Sequence, residues 1–227
     1  MKIAIIPARG GSKRIPRKNI KLFCGKPIIS YSIESARQSG CFDRVIVSTD
    51  DVEIAEIAKT YGAEVPYVRS AKSSDDYASL HDVVVEVLTQ LTESVSVAHV
   101  ALILPTSPLL SADTIRTVMD YLGTEEYDSA LTVVEYEVSP DKALTLSDSG
   151  SIVRQDSNQL MKRSQEHMKC YHDAGQIYAF YADDVRSRKT LTGKRCKAVI
   201  LDHMDSHDID TPNHWLLAEM KYKLSRE

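Results

Sequence analysis

The amino-acid sequence predicts an α/β fold built on a doubly wound, mostly parallel sheet. Short β-branched apolar runs alternate with stretches of helical periodicity, and glycine, proline or a capping residue marks each changeover. The first apolar run also leads directly into a basic, glycine-containing loop. That loop lies at the strand end where open α/β sheets take their ligands.

Ile3-Ala4-Ile5-Ile6 reads as the first strand. Pro27 then opens a helix with Ile29, Ile33 and Ala36 facing inward and Gly40 at its end. Residues 44–49 form the next strand, and Asp50 and Asp51 start a helix carrying Ile54, Ile57, Ala58 and Tyr61 that stops at Gly62. A short strand over 65–68, a polar loop over 69–79 and a helix over 81–91 follow. Residues 100–104 are uniformly apolar and end at Pro105-Thr106-Ser107-Pro108, which marks a central strand. Ser111 or Asp113 caps a helix ending near Gly123, and 130–134 is another strand.

From 139 to 171 the alternation lapses into polar sequence. A stretch of this length reads as an excursion from the sheet, either a lid or an arm reaching a second subunit. Strands over 176–181 and 197–201 restore the pattern, and Thr211-Pro212 begins a last helix carrying Trp215, Leu216 and Met220. The expectation is one domain over residues 1–227.

Composition narrows the function classes. The 227 residues are 43% hydrophobic and 26% charged, with no apolar run near the roughly 20 residues of a membrane span. The first apolar run is too short for a signal peptide, so the expected location is the cytoplasm, with no membrane partner. Cys24, Cys41, Cys170 and Cys196 are widely separated and read as reduced, mostly buried thiols. Residues 1–33 hold eight Lys or Arg and no Asp or Glu, whereas the remainder carries 20 basic against 32 acidic residues. Positive charge confined to one loop suits capture of a small anion and argues against nucleic acid as a partner.

The loop itself reads PARGGSKRIPRKN over residues 7–19. Gly10 and Gly11 allow close backbone approach, Ser12 adds a hydroxyl, and Arg9, Lys13, Arg14, Arg17 and Lys18 crowd positive charge for a polyphosphate. Neither a Walker A loop nor a dinucleotide fingerprint is present, since the glycine after Gly11 is Gly25. Near the other end, no Lys or Arg falls between Ala198 and Met220, while Asp202, Asp205, Asp208 and Asp210 all do. If Asp208-Ile209-Asp210 is extended, both carboxylates share a face. They then suit one hard cation, Mg²⁺ or in its place Mn²⁺, bound together with phosphate oxygens. The bland alternative is that Asp210 and Thr211 merely cap the last helix.

PARGGSKRIPRKN resembles the loop of the cytidylyltransferases that activate nine-carbon sugar acids, the CMP-sialic acid synthetase family. The resemblance continues through residues 43–50, Arg69 with the Asp-rich loop and Ala78-Ser79, Pro105-Thr106-Ser107-Pro108-Leu109, and the late Asp208-Ile209-Asp210-Thr211. It implies a Rossmann-like nucleotidyltransferase sheet with a small dimerisation or lid excursion. It also implies a homodimer and CMP transfer from CTP to the anomeric hydroxyl of a 2-keto sugar acid.

Carried over by position, Ala8, Arg9, Gly10, Gly11, Ser12, Lys18 and Asn19 hold the nucleotide with Arg69 and Ser79, and Lys18 and Arg9 are catalytic. Asp208 and Asp210 hold the metal, and Thr106, Ser107, His172, Asp173 and Gln176 face the sugar. Leu104 stands where the sialic acid enzymes carry a glutamine. Together with Arg14, Arg163-Ser164-Gln165 and Tyr171-His172-Asp173-Ala174-Gly175-Gln176, it resembles the branch acting on pseudaminic acid. Sialic or legionaminic acid is the nearest rival substrate. A nicotinamide oxidoreductase would share the sheet but lacks the glycine fingerprint, and a non-catalytic nucleotide-sugar binding protein has no need of Asp208 and Asp210.

Overall fold

The computed structural model describes residues 1–75, 77–92, 96–124, 126–154 and 168–225. In chain order the elements are β1 (Lys2–Pro7), β2 (Leu22–Phe23), β3 (Lys26–Pro27), α1 (Ile28–Ser39), β4 (Arg44–Ser48), α2 (Val52–Thr60), α3 (Ala71–Ser74) and α4 (Leu80–Thr92). There follow β5 (His99–Ile103), α5 (Ala112–Leu122), β6 (Ser129–Glu135), β7 (Leu144–Leu146), β8 (Ile152–Arg154), β9 (Tyr171–Tyr181), α6 (Ala182–Ser187), β10 (Cys196–Leu201) and α7 (Pro212–Leu224).

Six strands make one sheet in the order β10-β6-β9-β5-β1-β4. β1 pairs in parallel with β4 and β5, and β10 with β6, while β9 runs antiparallel between β5 and β6. Side-chain alternation explains why helices cover both faces. Ala4 and Ile6 of β1 join the cluster under α1, α2 and α5, whereas Ile3 and Ile5 join the cluster under α4 and α6. Expected caps hold these helices: Asp51 accepts from the Ile54 N–H, Ser111 from the Thr114 N–H and Thr211 from the His214 N–H. Gly40 ends α1 in the left-handed conformation, with φ of 67°.

A third apolar cluster positions the site. Ile15 of the basic loop, Phe23 of the β2–β3 hairpin, Ile28 and Tyr31 of α1, Ile209, and Trp215 and Ala218 of α7 are buried together. Phe23 meets the rings of Tyr31, Trp215 and Tyr222 edge-on at 5.5 to 5.6 Å. Each large apolar side chain buried there contributes roughly 1.5–3 kcal/mol. Packing thus ties the amino-terminal loop to the segment ahead of the last helix.

The structure departs from the sequence reading in several places. Residues 65–68 form no strand; Ile46 bridges Glu64 and Thr49 bridges Val68 singly. β9 begins at Tyr171, well before 176, because a bulge lets it pair with β6 on both sides of Ala174–Ile177. In α7 Trp215 is buried, but Leu216 and Met220 are exposed. All four cysteines are half-buried and none forms a disulfide. Within 139–171, β7 and β8 form a hairpin outside the main sheet, and Arg163-Ser164-Gln165 lies outside the described residues. Among the described residues no helix is long and apolar enough to cross a membrane.

Candidate active site

The chain leaves β1 still attached to β4, because the Ala8 N–H donates to the Ser48 carbonyl at 2.9 Å. Gly10 follows with its N–H on Asp50 Oδ1 at 2.9 Å. The loop is then fixed at two further points. Ile15 is buried in the third cluster, and Arg17, in the left-handed region at φ 54°, sends its guanidinium to Asp51 and to Glu53 at 2.5 Å. Arg17 holds the Asp51 carboxyl below its ordinary value, with backbone N–H groups at the α2 amino terminus assisting. Asn19 closes the loop by donating from Nδ2 to the Arg9 carbonyl at 2.9 Å.

These anchors leave a cleft of about 480 Å³ beside the carboxyl ends of the parallel strands. Arg9, Ser12, Arg14, Lys18 and Asn19 line one side, Arg69 and Asp75 another, and Leu104, Pro105 and Thr106 a third; Asp210 completes it. Lys18 Nζ donates to the Ile209 carbonyl at 2.7 Å and stands 3.5 Å from Asp210 Oδ1, linking positions 191 apart in sequence. Arg14 Nη1 lies 3.0 Å from Asp210 Oδ2. Both oxygens of this carboxylate therefore already face cations.

Ile209 is fully buried between its two aspartates. Asp208 is exposed as a residue, yet partial loss of water around its carboxyl, followed by the neighbouring charge of Asp210, pushes that group above its ordinary value, while Lys18, His214 and Arg14 pull it back. On the far side, Arg69 is 4% exposed and donates from Nε to Ser74 Oγ at 3.2 Å. Its Nη2 is buried without a hydrogen-bond partner in the protein and sits 3.9 Å from Asp50 Oδ1. Burial lowers the guanidinium pKa, and Asp50 offsets this in part.

A family model for cytidylyltransferases matches residues 3–223. The chain belongs to the cytidylyltransferase family. The pseudaminic acid cytidylyltransferase of Campylobacter jejuni is 38% identical, over 99% of this chain and 97% of the relative. CMP-N,N'-diacetyllegionaminic acid synthase of Legionella pneumophila is 33% identical over the same shares. A solved CMP:2-keto-3-deoxy-manno-octonic acid synthetase complexed with CTP matches with a TM-score of 0.71 at 18% identity, covering 99% of this chain and 98% of that one. That last likeness concerns the fold alone.

Within this cytidylyltransferase, the structure brings Arg9, Ser12, Lys18, Asn19, Arg69, Thr106 and Asp210 to one cleft. Other residues singled out from the sequence have different positions. Ala8 is a core residue whose N–H is already used by Ser48. A Cβ on Gly10 would stand 2.7 Å from Asp51 Oδ2, so the protein's own packing favours glycine there; a Cβ on Gly11 would meet nothing within 4 Å. Ser79 is turned to Asp82, receiving its help at the start of α4, with Oγ donating at 2.7 Å. Ser107 is buried beneath the cleft.

The three β9 residues expected at the sugar are also engaged elsewhere. His172 packs on the Tyr136 ring at 4.9 Å, and Asp173 accepts from the Gly175 N–H and the Tyr178 hydroxyl at 2.8 and 2.6 Å. Gln176 is 2% exposed, with Nε2 donating to the Asp205 carbonyl at 2.9 Å. The pairing of Arg14 with Asp210 escaped the sequence reading, in which Arg14 counted as one of five loop charges and as a mark of the pseudaminic acid branch. Its spacing from Lys18 was the available signal.

Proposed function

We propose that this cytidylyltransferase transfers CMP from CTP to the anomeric hydroxyl of a nine-carbon 2-keto sugar acid, pseudaminic acid first among them, releasing pyrophosphate. The observation that carries the reading is the approach of Lys18 to Asp210 across one cleft, cation and carboxylate contributed by opposite ends of the chain. The choice of sugar acid rests on the 38% identical relative, and the legionaminic acid synthase at 33% makes that sugar the second candidate.

In the reaction the anomeric oxygen forms a bond to the α-phosphorus, the bond from that phosphorus to the bridging oxygen breaks, and the hydroxyl proton leaves to solvent. Lys18 and Arg9 hold the phosphate chain and offset charge as it moves to the leaving pyrophosphate. Arg69 supports recognition of the nucleoside, because its buried Nη2 has donor capacity that no protein atom uses.

The residues present fit a hard cation. Asp210 lines the cleft and Asp208, beside that lining, feels its charge; a metal here would share the Asp210 oxygens that now face Arg14 and Lys18. With only two carboxylates from the protein, a cation here would take its remaining oxygens from water and phosphate, as Mg²⁺ does; among the described residues no group of three His, Cys, Asp or Glu is placed to hold a metal. Mn²⁺ has the same oxygen preference. Bound there, the metal would supply charge neutralisation at the triphosphate.

The reading includes a homodimer, supported by the exposed apolar residues Leu144, Leu146 and Ile152 on the β7–β8 hairpin. It also includes a cytoplasmic location, supported by four cysteines that form no disulfide. The test is to incubate the protein with CTP, Mg²⁺ and a panel of pseudaminic, legionaminic and sialic acids and to follow pyrophosphate. Release should be fastest with pseudaminic acid and abolished by chelation. No release with any of the three would remove the reading.

A further inference from the structure

The bulge in β9 carries more than strand geometry. Between the pairs Leu131↔Tyr178 and Val133↔Asp173, β6 spends one residue where β9 spends four, Ala174 to Ile177. The segment that β6 leaves unpaired lies against the irregular stretch that leads from β10 to Asp208 and Asp210. Gln176 Nε2 donates to the Asp205 carbonyl at 2.9 Å, and Ser206 Oγ donates to the Ala174 carbonyl at 3.5 Å. Gly175, at φ 63°, has a site for Cβ 3.8 Å from the Asp208 carboxyl carbon. The Gln176 carbonyl also accepts from the N–H of Leu104, which lines the cleft.

One detail separates function from stability here. Because Nε2 faces a carbonyl, the orientation of the amide is fixed, and Oε1 is left buried without a protein partner. An unmatched buried acceptor destabilises a fold, and an apolar side chain of equal volume would serve packing better. What the amide supplies is a single donor to the backbone three residues ahead of Asp208.

We propose that Gln176 is a positioning residue that sets the Asp208 and Asp210 carboxylates for their cation; this rests on the metal reading above. Partners hydrogen-bonded directly to a ligand change metal affinity by about 10- to 100-fold when lost, and Gln176, which reaches Asp208 through three residues of backbone, belongs at the low end of that range. The side chain acts on the carboxylates through the Asp205 backbone and touches no substrate.

The experiment is titration of purified protein with Mn²⁺ alone, with free ion counted by electron paramagnetic resonance, for wild type, Gln176→Met and Asp210→Asn. Circular dichroism fixes a temperature at which every variant is folded. Gln176→Met should weaken Mn²⁺ binding about tenfold while its Tm stays level with wild type or rises. An unchanged Mn²⁺ curve in Gln176→Met, whatever its Tm, overturns the inference. Should Gln176→Met fail to fold, Gln176→Leu, which likewise carries no donor, is read the same way. If Asp210→Asn binds Mn²⁺ as wild type does, the metal reading itself fails; if only Gln176→Met does so, the positioning role alone is lost.

Discussion

The loop after β1 and the bulged part of β9 both carry polar side chains that the sequence marks for ligand contact, yet only the loop turns them into the cleft. Arg9, Ser12, Lys18 and Asn19 line it, whereas His172, Asp173 and Gln176 are engaged by Tyr136, Tyr178 and Asp205. The difference is one of backbone obligations. The loop is anchored at a few points, Ser48, Asp50, Asp51 and Ile15, and beyond them its side chains can face a ligand. β9 runs between two partner strands and then interrupts its own ladder, so polar side chains nearby are drawn into satisfying the backbone.

The sharpest test of the comparison lies in the loop. Lys18→Ala should cut kcat by roughly a hundredfold or more if the ammonium stabilises charge in the transition state, with Tm little changed; steady-state pyrophosphate release measures it. Next in size is the joint between the two chain ends. Phe23→Ala removes the ring on which Tyr31, Trp215 and Tyr222 converge and should cost about 3–5 kcal/mol by denaturant unfolding. An intact activity in that variant at a temperature where it stays folded would show that Lys18 and Asp210 need no such support.

A smaller effect concerns acid stability. Asp51 has an ordinary pKa of 3.8 and a lower one in the fold, chiefly through Arg17. The pair therefore contributes stability that is present above the ordinary value and lost as pH falls through the depressed one. Arg17→Gln should lower Tm near neutral pH and flatten its decline below about pH 5. Equal slopes in wild type and variant would contradict the linkage. Smallest of all, His172→Ala should change the KM for the sugar acid less than about threefold, in keeping with the ±0.5 kcal/mol of a surface change. A large rise in KM would return β9 to the sugar site.

Much of this was legible from residue order. Apolar runs fixed the sheet's strands, Asp51, Ser111 and Thr211 announced their helices, and the segregation of charge foretold that the ends at Lys18 and Asp210 belong together. Roles set by a distant backbone were not legible. Nothing local tells that the Gln176 amide meets the Asp205 carbonyl, that Ser79 is occupied by Asp82, or that Gly10 is held against Asp51. The exposure of Leu216 and Met220 in α7 was hidden for a related reason. Apolar residues surround that helix, so periodicity alone could not choose its buried face.

The central claim is that the basic loop and the aspartate pair share one triphosphate. Crystals grown with CTP and Mn²⁺ test it directly through the anomalous signal of the metal. The account predicts a peak bound by Asp208 and Asp210, with phosphate oxygens on the same ion and within hydrogen-bond reach of Lys18. A triphosphate seated away from Lys18, or a metal bound to phosphates with neither aspartate beside it, would contradict it.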